Sequence, residues 1–118
     1  MTRLRVLCAL LSVALLTASC GGDSDEPVVL VVKNVSNAQC VPPTVTIQSL
    51  DRELEAAGIV SGARSCASNG RAYAALCGEP FEYYRLVEVP TSQIALARTI
   101  GYKPASEIAT VVIPQACP

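Results

Sequence analysis

Six cysteines in a 118-residue chain limit its fold more than any other feature. Cys8 lies inside an apolar run, Val6 to Leu16, which follows the basic Arg3 and Arg5 and ends on Thr17-Ala18-Ser19 before Cys20. A charged start, an apolar stretch of roughly seven to fifteen residues and small residues at the cut describe a secretory signal. The run falls well short of the ~20 apolar residues that a spanning helix needs. Export places Cys40, Cys66, Cys77 and Cys117 in an oxidising compartment, where an even set is expected to form two disulfides. Their spacings of 26, 11 and 40 match no zinc pattern, and the chain has no histidine. No CxxC motif suggests redox chemistry. Nested bridges, Cys40–Cys117 outside Cys66–Cys77, are the favoured arrangement, because the outer one clamps both ends of the domain. The pairings of Cys66 and Cys77 with Cys40 or Cys117 stay open.

Leu16-Thr17-Ala18-Ser19-Cys20 resembles the lipobox of bacterial lipoproteins, with Thr17 where an aliphatic residue is commonest. The resemblance implies that residues 1–19 are a removed signal peptide and that Cys20 is lipidated, palmitate included. Two or three acyl chains anchor stably, since each buried CH₂ contributes ~0.8 kcal/mol. Gly21 lacks the aspartate that signals inner-membrane retention in enteric bacteria, so the resemblance implies the outer membrane, facing the periplasm. Removing the first 19 of 118 residues leaves 99, enough for one small domain. With Arg3 and Arg5 gone, seven basic residues face ten acidic ones. That balance gives no basic face for nucleic acid. The expected partners are the membrane, through the lipid alone, and an envelope protein or cell-wall component.

Residues 20–27, rich in glycine, serine and acid, read as a flexible tether to a single domain over residues 28–118. Val28-Val29-Leu30-Val31-Val32 predicts a buried strand. Ile47, Leu50, Leu54 and Ala57 recur at helical spacing, with Gly58 as a stop and Ile59 able to fold back on the helix end. Asp51, Glu53 and Glu55 fall off that stripe and read as a solvated face. Asn69-Gly70 is a strong hairpin signal. A regular two-residue turn there leaves Cys77 about 13 Å beyond the level of Cys66, so a bridge between them requires an irregular loop. Phe81 to Val89 predicts a long strand. A second helix near 92–100 is expected to start on Thr91 or Ser92 and end at Gly101. A last strand is expected near 107–113. The resulting order, strands near 28–34, 60–67, 71–76 running into 81–89, and 107–113, is βαββαβ. The expected class is therefore a small disulfide-stapled α+β domain of ferredoxin-like order, with another two-layer α+β layout as the alternative.

Cys66-Ala67-Ser68-Asn69-Gly70-Arg71-Ala72-Tyr73-Ala74-Ala75-Leu76-Cys77 is similar to the C-x6-Y-x3-C segment of Kazal-type protease inhibitors. Position 58, where that family places a partner cysteine, is Gly58. In that family the two matched cysteines are not bonded to each other, which favours the other pairings. Catalytic and cofactor signatures are missing. Without histidine there is no Ser-His-Asp or Cys-His constellation, and no glycine-rich phosphate cradle occurs. Glu79, Glu82 and Glu88 are the carboxylates that a glycosidase reading would use. The expectation is a non-catalytic binding or accessory module without cofactor or metal. An inhibitor of periplasmic or extracellular hydrolases is the alternative. Asn69, Gly70, Tyr83 and Tyr84 are the candidate binding surface.

Overall fold

The computed structural model describes residues 25–109 and 112–118. The expected signal segment 1–19, the expected lipidation site Cys20 and the expected tether up to residue 24 lie outside the described residues. Within them, β1 (Val28–Ala38) and β3 (Pro80–Pro90) pair antiparallel along their whole lengths, from Val28 opposite Pro90 to Ala38 opposite Pro80. β2 (Arg64–Ser68) lies on the far side of β3, and β5 (Ile113–Gln115) lies beyond β2. β4 (Lys103–Pro104) touches β1 only opposite Val31 and Val32. Helix α1 (Ile47–Ala56) joins β1 to β2, and α2 (Ile94–Thr99) joins β3 to β4. The lateral order β4-β1-β3-β2-β5 with antiparallel neighbours is the ferredoxin-like order, extended by one strand.

Strand alternation sorts the side chains into two layers. Val31, Val35, Tyr83, Val87, Val89 and Cys66 point to the helices. There Leu54 and Leu50 of α1 and Ala97 of α2 close two adjoining clusters. Burying side chains of this size contributes roughly 1.5–3 kcal/mol each. Helix α1 starts on a capping box: Thr46 Oγ1 accepts from the Ser49 N–H, and Ser49 Oγ accepts from the Thr46 N–H. It stops as its sequence suggests. Gly58 takes φ +74°, a conformation that costs a side-chain-bearing residue, and the Ile59 N–H donates to the Leu54 carbonyl. Ile59 is buried against the same leucine. The second helix ends likewise at Gly101, but its start differs from expectation. Thr91 and Ser92 sit in a 3-10 turn (Thr91–Gln93) before the helix. The Ser92 N–H and hydroxyl donate to the Glu26 carboxylate, and the Thr91 N–H and hydroxyl donate to the Pro27 carbonyl. Residues 26 and 27, expected at the end of a flexible tether, are therefore fixed to this turn, and Glu26 caps it.

Three expectations about the path of the chain need correction. Residues 71–76 form no strand; the β2–β3 connection is an irregular loop over residues 69–79. Asn69 Oδ1 accepts from the Arg71 N–H and Ser68 Oγ from the Gly70 N–H, local bonds that satisfy the backbone in place of a ladder. The bridges are Cys40–Cys77 and Cys66–Cys117, each with Cα atoms 5.0 Å apart, and not the nested pairs. Strand register explains the first: the β1–β3 ladder continues to the Gln39 N–H donating to the Glu79 carbonyl, which carries Cys40 alongside the chain at Cys77. Cys66 lies opposite Gln115 of β5, two residues before Cys117. The last β-branched segment is not one strand near 107–113. It leaves β4 at one edge and reaches β5 at the other, so it must cross the outer face of the sheet. Ala105, Ile108 and Val112 pack there on Val32, Ala67 and Leu86.

Candidate binding site at the open edge of the sheet

Backbone parity along β1 fixes which of its groups are free. The Thr91 N–H donates to Pro27 and the Gln39 N–H to Glu79. Odd-numbered residues of β1 therefore turn their N–H and C=O toward β3, and even-numbered residues turn theirs away. Val32 has Lys103 opposite on that outward side. Beyond it, Asn34, Ser36 and Ala38 are exposed, and on the side away from β3 no strand among the described residues pairs with them. A row of unpaired strand groups is a template for another chain.

Concavities flank this edge on both faces. On the helix side, a groove of about 540 Å³ runs between β1 and α1, lined by Val35, Val45 and Leu50 with Ser49, Arg52, Glu53 and Ala56. Positions 49, 52, 53 and 56 follow the i, i+3, i+4, i+7 rule, so one stripe of α1 walls the groove. Asn37 fixes the Val45 part of the wall. Its Nδ2 donates to the Val45 carbonyl at 2.9 Å and its Oδ1 accepts from the Val45 N–H at 3.1 Å. On the outer face, a pocket of about 550 Å³ is lined by Val32, Asn34, Tyr84, Lys103 and Ile108.

Charge is unevenly distributed around the edge. Lys33 Nζ lies 2.6 Å from Glu53 Oε2, and Arg98 is paired with Glu107. The bonded Arg98 guanidinium holds the Glu107 carboxyl below its usual range. Arg52 and Lys103 have no carboxylate partner among the described residues. Lys103 acts on the Glu107 carboxylate only at longer range than the bonded Arg98, so Arg52 and Lys103 lie outside the ion pairs of this edge in a chain that is acidic overall.

Beneath α1 lies a second polar cluster. Arg85, 4 % exposed, stands directly across from Lys33 in the β1–β3 ladder. Like charges opposite each other are unfavourable. Asp51 offsets them: its Oδ1 lies 2.9 Å from Arg85 Nη2 and 3.1 Å from Arg64 Nη1. Arg85 Nη1 also sits 3.2 Å from Cys117 Sγ and 3.7 Å from Cys66 Sγ. Asp51 and Glu53 are therefore counter-ions of strand cations, which corrects their reading as a solvated face; Glu55 is exposed as expected. Burial pushes the Tyr102 phenol up to about 12 and raises that of Tyr83, so both stay protonated at neutral pH.

The proposed surface residues separate. Tyr83 is 2 % exposed and belongs to the core, a correction that follows from its place on the helix-facing side of β3 with Val87 and Val89. Tyr84, on the outer side, lines the pocket beside the edge. Asn69 is buried and donates through Nδ2 to the Tyr73 hydroxyl, while Gly70 is exposed at φ +74°. These two sit in the β2–β3 loop, apart from Tyr84's pocket. Glu82 and Glu88 lie six residues apart on one face of β3, about 20 Å, farther than the roughly 5–9.5 Å of a glycosidase pair. Among the described residues no cluster of three or more acids and cysteines is placed to hold a metal, and no helix is long and apolar enough to cross a membrane. Comparison with known proteins returns no matching family model, curated protein or solved structure.

Sequence reading missed the open edge. Its signals are faint: the brevity of β4 cannot be read from Lys103-Pro104, and the Asn34–Asn37 region reads as the end of a strand near 28–34, whereas β1 runs on to Ala38.

Proposed function

We propose that the protein is a lipid-anchored envelope module, held through Cys20, that captures another envelope protein or wall component without catalysing a reaction. The observation that carries this reading is the open β1 edge flanked by two concavities. Pockets with mainly apolar walls and a few placed polar groups are the usual form of a binding site. Tyr84, singled out from sequence, borders one of them. The acylated cysteine keeps the domain at a membrane surface, and the residues between Cys20 and Glu26 give it reach.

A second reading, inhibition of an envelope hydrolase, draws on the 69–79 loop. Arg71, Ala72 and Ala74 are exposed there, and the Cys40–Cys77 bridge ties the loop's far end to β1. Photo-crosslinking in native membranes separates the two. A photoreactive residue replacing Ser36 is expected to give one discrete adduct, and the same residue replacing Arg71 none. Adducts from position 71 alone would favour the inhibitor. A Cys20→Ser variant is expected to leave the membrane fraction; its retention there would remove the lipid anchor from the proposal.

A further inference from the structure

We infer that the occupant of the β1 edge is an extended, acidic peptide segment of a partner protein, added antiparallel or parallel as one more strand. This rests on the binding-module reading and gives that site its chemistry. An added strand would take main-chain hydrogen bonds from Asn34, Ser36 and Ala38, whose outward groups have no strand opposite them. It would continue the line of β4, which stops after covering Val31 and Val32.

Side chains of an extended segment alternate between the two faces of a sheet. Here each face offers a receptacle: the groove against α1 on one side and the pocket under Tyr84 and Ile108 on the other. The first has apolar walls in Val35, Val45 and Leu50, which suit an aliphatic side chain. Arg52 borders that groove and Lys103 borders the outer pocket, so carboxylates on either face of the incoming strand meet a cation. Glu53 and Glu107 do not oppose this, since Lys33 and Arg98 already neutralise them. Residues 33–38 limit the paired stretch to about six residues, close to a typical strand. A basic segment would bring like charge to Arg52 and Lys103.

The test uses full-length protein in detergent and fluorescent peptides of about eight residues, the length of an ordinary strand. One alternates valine with aspartate or glutamate. A second has lysine at the acidic positions. A third is the acidic peptide N-methylated at alternate amides, made in both phases. The acidic peptide is expected to bind at least about tenfold tighter than the lysine peptide, with affinity falling as salt rises. N-methylation in one phase is expected to weaken it about tenfold, since that phase removes the ladder donors. Arg52→Glu with Lys103→Glu, both at exposed positions, is expected to weaken it similarly and to improve binding of the lysine peptide. Equal binding of acidic and basic peptides, or indifference to both N-methyl phases, would overturn the inference. So would a protein dimer dissociated by Ser36→Pro, which would put a second copy on the edge. Should no peptide bind while position 36 still crosslinks a partner, the acidic-strand inference fails and the binding module stands. Failure of both removes the module as well.

Discussion

Replacing Cys66 and Cys117 together by alanine is expected to lower the free energy of unfolding by about 4 kcal/mol, the loop-closure value for the 51 residues this bridge spans. That is a large fraction of the roughly 5–15 kcal/mol by which such domains are stable. The Cys40–Cys77 bridge spans 37 residues, so its entropic contribution is nearly equal. The two differ in what surrounds them. Cys66 is 1 % exposed and packs with Val35, Leu50 and Tyr83, whereas Cys40 and Cys77 are exposed at the end of the β1–β3 ladder. Alanine at 66 also opens a void beside the buried Arg85 guanidinium. Urea denaturation of the two double variants is therefore expected to rank the Cys66–Cys117 loss as the larger. The reverse ranking would show that the β1–β3 end, and not the strand beneath α1, is where the chain most needs a clamp.

Asp51→Ala is expected to cost about 3 kcal/mol, although aspartate at a helix surface is ordinarily a minor contributor. Its removal leaves Arg85 buried without a carboxylate, facing Lys33 across the ladder and Arg64 alongside. Arg85→Met should behave oppositely and come out near neutral or stabilising, because the charge that needs a partner is gone and the volume is kept. Thermal and urea unfolding of the pair measure this directly. If Arg85→Met loses as much as Asp51→Ala, the guanidinium contributes more to folding than its desolvation costs.

Most of the fold was legible because local physics dictates it. The valine run of β1, the Leu50 and Leu54 stripe, the Gly58 and Gly101 stops and the long Phe81–Val89 pattern each act within one element. Errors arose where the decisive contact is distant in sequence. Asn69-Gly70 carries a hairpin signal, yet the bridge from Cys77 to Cys40, 37 residues away, accompanies a wide loop instead of a tight turn. Ile108 and Val112 look like strand residues, and their β-branched side chains do pack, but onto the outer face of the sheet. Tyr83 and Tyr84 are neighbours in sequence and opposites in space, which alternation along β3 already implied. Asp51 reads as a surface acid until Arg85, 34 residues later, is seen beneath it. Tyr84 was a legible part of the candidate site; the edge beside it was not, because whether a strand has a neighbour is a property of the whole sheet.

Amide hydrogen exchange on the full-length protein tests the open edge most directly. Asn34 and Ser36 are expected to exchange far faster than Val35 and Asn37, whose N–H groups face β3, so protection should alternate along one strand. Equal and strong protection at Asn34 and Ser36 would mean that the edge is already covered, and the binding surface would have to be sought elsewhere.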